Sequence, residues 1–278
     1  MEMESLNMQS VFFRGPRFVV ISLVCSAVIP ACWSLAIPNS YSKPVQSLFQ
    51  EAQATSGRPI LINTVPPSSS QAFQGTTNGE ADRIVITVTA GISGDYDDAL
   101  LAHELLHVIL NNKRFAAGGD LTPSGSRDPQ RAALSAGIRL VNSCFPDELI
   151  DRESVKRGLK PQLLLDRQIE LTIEGTSQLK MNEEESWPDN VRNVEAVRLF
   201  CLAKRLDMQK RHRIEQSVSR AFGKSIMTRE QQLLARFKGR YCQLTQPAAC
   251  YRLTVELRNA AGLKGDIQLY NPKSHLLE

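Results

Sequence analysis

Residues 98–112 read DALLAHELLHVILNN, and between Asp98 and Asn111 the only polar residues are His103, Glu104 and His107. An apolar run of this length with so few interruptions reads as a helix buried nearly all round. A buried helix needs a reason for three polar side chains. Residues four apart share one helix face, so His103 and His107 aim at one point, with Glu104 about 100° round the axis beside them. Two convergent neutral imidazoles are half of a metal site. Left unpartnered, each of the three groups would cost roughly 1–3 kcal/mol, whereas a cation and a water satisfy them together. The chain has only four histidines and half of them fall in this HExxH pattern, which makes two ordinary core histidines the weaker reading. Asp97 and Asp98 supply the N-terminal helix signals that the motif requires.

The HELLH helix, with the strand that precedes it, resembles the zincin metallopeptidases. In that family the two His bind Zn²⁺ and the Glu activates the zinc-bound water. The resemblance therefore implies His103 and His107 as ligands and Glu104 as general base. After His107 the chain runs Val-Ile-Leu-Asn-Asn, which lacks the Gly and third His of the extended metzincin pattern. The third ligand must come from elsewhere in the chain. The resemblance covers about residues 44–155.

The N-terminal 1–36 reads as an export signal. Arg14 and Arg17 precede an apolar run over 18–29, and Ser34-Leu35-Ala36 offers small residues for cleavage after Ala36. Two other readings stay open: a lipid anchor at Cys32, against which Pro30 counts, and an uncleaved span over 18–37. Removal of 1–36 takes away two Glu and two Arg, so the net charge of +4 is unchanged. A mild charge with no Lys/Arg run longer than a few residues, the 204–213 stretch reading as an exposed cationic face, excludes nucleic acid as the expected partner, and a membrane partner is expected only if the N-terminal segment is retained or lipidated. Four cysteines remain, an even number that suits an oxidising compartment. Of the three possible pairings, Cys144 with Cys201 and Cys242 with Cys250 is preferred.

Helical spacing predicts a helix over 44–55, and alternation predicts strands over 59–65 and 83–89, with a long polar loop over 66–80 between them. The 83–89 strand is expected to be the sheet edge along which an extended peptide pairs. A glycine-rich loop follows the HExxH helix over 116–127, then a helix over 130–141, and Pro146 is expected to start another. Further helices are expected over 161–181, interrupted at Gly175, over 191–222 as one long element, and over 228–237; 251–257 reads as a short strand. This predicts an α+β fold: a compact zincin-like core over 37–155, with a small sheet packed on the HExxH helix, then a mainly helical C-terminal region over 156–278 with a small disulfide-pinned end.

For the third ligand, His212 lies between two Arg and His275 lies in the terminal tail, so a carboxylate is favoured. Zincins with a carboxylate ligand carry it on a later helix, usually as Glu. The resemblance thus implies Asp147, Glu148 or Asp151, with Asp147 the first choice and Glu148 next; Glu170 and Glu174 are in reserve. Tyr96, Tyr241 and Tyr251 are open as oxyanion stabilisers. The expectation is an exported zinc-dependent metallopeptidase acting on peptide or protein substrates. The competing expectation is an exported zincin-like binding protein without catalysis.

Overall fold

Apolar residues at helical spacing after Ser42 form α1 (Lys43–Ser56), which buries Val45, Leu48, Phe49 and Ala52. The computed structural model describes residues 37, 40–67, 75–115, 118–122, 130–177, 186–222, 224–274 and 276–277. Among them the fold is α+β, with eight α-helices, a three-stranded mixed sheet and a separate two-stranded sheet. The segment read as an export signal, 1–36, lies outside the described residues, as does His275. No described helix is long and apolar enough to cross a membrane.

The three-stranded sheet corrects two expectations. Strand β1 (Ile60–Val65) pairs in parallel with β3 (Ile84–Thr89), and β2 (Gly75–Gly79) pairs antiparallel with the other side of β3. The 83–89 strand is therefore the centre of the sheet, and β2 is one of its edges. Its sequence, GTTNG, lies inside the stretch read as loop. It has no apolar alternation because its side chains are only half-buried, so the periodicity that marks a strand is missing.

Helix α2 (Gly94–Asn112) begins before the expected residue 98, because Ser93 caps it: its Oγ accepts from the Tyr96 amide at 3.3 Å. Asp95 and Asp97 lie in its first turn, where the helix dipole favours acids. Asp97 accepts from the Gly91 amide at 2.8 Å, and Asp98 accepts from the Ser42 amide at 3.1 Å, which ties the start of α1 to α2. At the other end Arg114 adopts φ 65° while the Phe115 amide reaches back to Leu110 O at 3.2 Å and that of Arg114 to Asn111 O at 2.9 Å. This is a left-handed helix stop of the kind glycine usually makes, held here by burial of Phe115.

Helix α3 (Gln130–Lys156) runs without a break through Pro146, where a new helix start was expected. Proline in a helix interior costs about 3 kcal/mol through its missing donor and ring clash. Here the flanking turns bury Val141, Cys144, Phe145, Leu149 and Ile150, and burial worth about 1.5–3 kcal/mol per large side chain outweighs that loss. α4 (Gln162–Ser177) likewise continues past Gly175. The long helix expected over 191–222 is two, α5 (Asp189–Lys204) and α6 (Met208–Val218), broken where Asp207 caps the second by accepting from the Lys210 amide at 2.8 Å. α7 (Lys224–Arg236) follows. The short strand expected over 251–257 is part of α8 (Pro247–Ala260), which starts with proline in its first turn and buries Cys250, Thr254, Leu257 and Arg258 on one helical face.

Strand β4 (Gly119–Leu121), within the stretch read as a loop, pairs antiparallel with β5 (Ile267–Leu269) near the C-terminus. One contiguous core takes in Val45, Ile86, Leu105, Phe145, Phe200, Leu257 and Leu269, from both halves of the chain. The two preferred cysteine pairs lie at disulfide distance, with Cα separations of 5.1 Å for Cys144–Cys201 and 4.9 Å for Cys242–Cys250. The first joins α3 to α5 across 57 residues of sequence, and closing a loop of that length is worth about 4 kcal/mol in the chain-entropy account.

Glu230 on α7 is 2% exposed, and its Oε2 has no hydrogen-bond partner among the described residues. Burial raises its pKa from 4.5 to about 7, against the pull of Arg211 and with a push from Glu215. A carboxyl raised in this way stabilises the fold relative to its ionised form below its unfolded pKa, and that contribution is lost as pH rises through about 7. Glu230→Gln is therefore expected to raise the melting temperature at pH 8 and to change it little at pH 5. Equal shifts at both pH values in thermal denaturation would overturn this account.

Candidate metal centre

The polar face of α2 meets its partners from two other elements, α3 and β2. His103 and His107 lie one turn apart with ring centroids at 4.7 Å, and their Nε2 atoms are 3.1 Å apart. Asp147 of α3 brings Oδ1 to 3.3 Å from His107 Nε2 and 3.9 Å from His103 Nε2. A tetrahedral ion with ligands at about 2.0–2.2 Å holds its ligand atoms about 3.3–3.6 Å from one another. The observed spacings bracket that range. Asp147 Oδ1 is buried and makes no hydrogen bond among the described residues, and a bare carboxylate oxygen aimed between two imidazoles is a costly arrangement unless a cation takes it up. His103, His107 and Asp147 are thus a group that can hold a metal ion.

Electrostatics agree with this geometry. Burial, with the neighbouring His107, lowers the His103 pKa to about 3, so that imidazole is neutral and free to ligate. Burial opposes the charge on Asp147, yet the close approach of His107, the Arg205 cation and His103 together hold the carboxyl well below its ordinary range. Burial also pulls His107 down, but the close contact with Asp147 and the charges of Asp147 and Glu104 outweigh this and raise it. A cation entering the group therefore competes with a proton at His107.

Glu104 is 6% exposed and lies against the edge strand β2. Thr77 Oγ1 donates to Glu104 Oε2 at 2.7 Å. Gly75 is the other close neighbour: a Cβ there would lie 2.5 Å from Glu104 Oε1, so only glycine leaves room for the carboxylate. Burial raises the Glu104 pKa, while His107 and the Thr77 hydrogen bond act in the opposite direction. The result is a carboxylate that is desolvated yet fixed in orientation.

The remaining carboxylates go elsewhere. Glu148 pairs with Lys204 at 2.6 Å, and Asp151 takes both Nε and Nη2 of Arg205 at 2.7 and 3.0 Å. Glu170 pairs with Arg167 at 3.0 Å, and Glu174 is exposed. His212 lies on α6 with its Nε2 2.8 Å from Gln216 Nε2. Of the three tyrosines, Tyr241 lies under Arg152, Tyr251 is buried in the core, and Tyr96 is raised to a pKa well above its usual value, by burial first and then, against the charge of Arg167, by Asp97 and Glu170. Three residues escaped the sequence reading. Gly75 and Thr77 sit in a strand with no strand signature, and Arg205 sits within an ordinary cationic run. No family model, curated protein or solved structure matches the chain.

Metal binding by deprotonated ligands releases protons. Titration with Zn²⁺ is expected to give one tight site per chain, weakening as pH falls from 8 to 6 by up to about tenfold per unit for each proton displaced. Asp147→Asn and His103→Ala are expected to weaken it by at least about tenfold. Unchanged affinity in Asp147→Asn would remove that residue from the ligand set. Separately, Gly75→Ala is expected to cost about 1–3 kcal/mol by overpacking Glu104, and to cost much less in a Glu104→Ala background; additive effects in chemical denaturation would show that the close approach is not the cause.

Proposed function

We propose that the chain is an exported zinc-dependent metallopeptidase of the zincin kind, and that a Glu-assisted hydrolysis of peptide bonds takes place at the His103–His107–Asp147 centre. The observation that carries this reading is the convergence of His103 Nε2, His107 Nε2 and Asp147 Oδ1 beside a buried carboxylate, Glu104, held by Thr77. Two imidazoles and one carboxylate form a donor set of catalytic zinc sites, with three protein ligands and an open position. Non-haem iron uses the same donor set. A general base adjacent in sequence to one ligand and fixed against a sheet edge suits hydrolysis better than oxygen chemistry.

Zinc, when bound, supplies Lewis acidity, polarising a carbonyl and acidifying a water. Glu104 accepts the proton of the attacking water and delivers it to the leaving amine, a role that requires one carboxylate to face the scissile bond in both half-reactions. Thr77 fixes one oxygen of that carboxylate, and the missing side chain at Gly75 leaves space for the other. His103, and His107 once its proton is displaced, would act as neutral donors, and Asp147 would supply the single negative charge of the ligand set. The side chains of the three ligands are 15–19% exposed, so the centre is open to solvent on one side.

An extended substrate peptide would pair its backbone with the outer edge of β2, the strand that also carries Gly75 and Thr77. That places the bound peptide beside Glu104. Export accords with the apolar segment over 18–29 and with two cysteine pairs, which persist in oxidising compartments.

The decisive comparison is elemental mass spectrometry of wild type and Glu104→Gln, together with cleavage of a peptide mixture. About one zinc per chain is expected in both proteins, with cleavage reduced about 10²–10⁴-fold in the variant. Equal cleavage by Glu104→Gln, or zinc-loaded protein that leaves unfolded substrates intact, would reject the peptidase reading.

A further inference from the structure

Arg205 closes α5 and is almost fully enclosed, with its side chain 5% exposed. Its guanidinium is divided between two carboxylates of α3. Nε and Nη2 grip Asp151, while Nη1 donates to Gln168 Oε1 at 3.5 Å and forms an ion pair with Asp147 Oδ2, also at 3.5 Å. The two oxygens of Asp147 thus have different environments: Oδ2 faces a fixed cation, and Oδ1 faces the imidazoles with no hydrogen bond among the described residues. A carboxylate with both oxygens free can bind an ion through one or both.

We propose that Arg205 is a positioning residue for a metal ion at this centre: by holding Asp147 Oδ2 through charge it makes Asp147 a one-oxygen ligand and keeps a coordination position open. The inference rests on the metal reading above and deepens it. Asp151 serves as the anchor, because its two-point grip fixes the plane of the guanidinium and so the direction in which Nη1 points. The Cys144–Cys201 pair sets the longitudinal register, since Cys144 lies one turn before Asp147 on α3 and Cys201 one turn before Arg205. Lys204 and Glu148 form a second, parallel ion pair at 2.6 Å between the same elements. Removing a group that orients a ligand through its far atom commonly costs about 10–100-fold in metal affinity.

Co²⁺ is the probe, because its visible absorption reports coordination number as well as binding. In wild type, one Co²⁺ per chain is expected, with the intense absorption of a four-coordinate ion. In Arg205→Met the affinity is expected to fall about 10–100-fold, and the band to weaken as Asp147 turns both oxygens to the ion. Arg205→Met leaves Asp151 buried without its partner and can fail to fold, so Asp151→Asn/Arg205→Met, which removes the pair as a unit, is measured beside it and is expected to show the same two changes. Wild-type affinity and spectrum in the folded double variant would overturn the role of Arg205. No Co²⁺ or Zn²⁺ binding by wild type would instead overturn the metal centre itself, and with it this inference.

Discussion

A helix that is buried along most of its length yet carries His103, Glu104 and His107 obliges the rest of the chain to bring polar partners to it. Each ionisable group withdrawn from water carries a desolvation cost that only a matched partner offsets. The partners arrive from three directions: Thr77 from β2, Asp147 from α3 and, behind Asp147, Arg205 from α5. Much of the architecture is intelligible as the means of delivering these three side chains. The sheet places β2 over Glu104, the unbroken α3 carries Asp147 past Pro146, and the Cys144–Cys201 pair holds α5 so that Arg205 lands on the acids of α3.

The parts of this plan written in strong periodicity were legible from sequence. α1, β1, β3 and α2 stand close to where apolar spacing puts them, and the cysteine pairs are those preferred from their positions. HExxH named two candidate ligands and a base, and the third candidate of first choice, Asp147, lies beside them. What could not be read depends on tertiary contact. β2 is a strand because β3 offers it hydrogen bonds, and GTTNG carries no pattern of its own. Glu148 differs from Asp147 by one residue of helical rotation and Asp151 by about one turn along the same face, and these offsets decide which acid meets the imidazoles and which meets Lys204 or Arg205.

The misplaced elements have a common cause. In 251–257, YRLTVEL alternates well enough to suggest a strand, yet Cys250, Thr254 and Leu257 are the buried set, and Pro247 opens a helix that the disulfide to Cys242 holds in place. Pro146 would stop an isolated helix, and Arg205–Asp207 would not obviously stop one. Packing reverses both expectations: the core around Phe145 carries α3 through its proline, and the Asp207 cap turns the chain after α5. Local preference amounts to about 3 kcal/mol or less at such points, and a single well-buried aromatic residue is of the same size.

The wide spacing in sequence of Thr77, the two histidines, Asp147 and Arg205 has a kinetic meaning. Contacts between distant positions form late, because loop-closure entropy must be met before they contribute anything. A nascent or partly folded chain therefore has the HELLH segment without its carboxylate neighbour or the guanidinium that orients it, and offers a cation two imidazoles at most. The full candidate ligand group is assembled only once α3 and α5 have docked and the 57-residue span between Cys144 and Cys201 is closed. An ion taken up by this group would then mark completion of folding, since the three candidate ligands come together only in the docked chain.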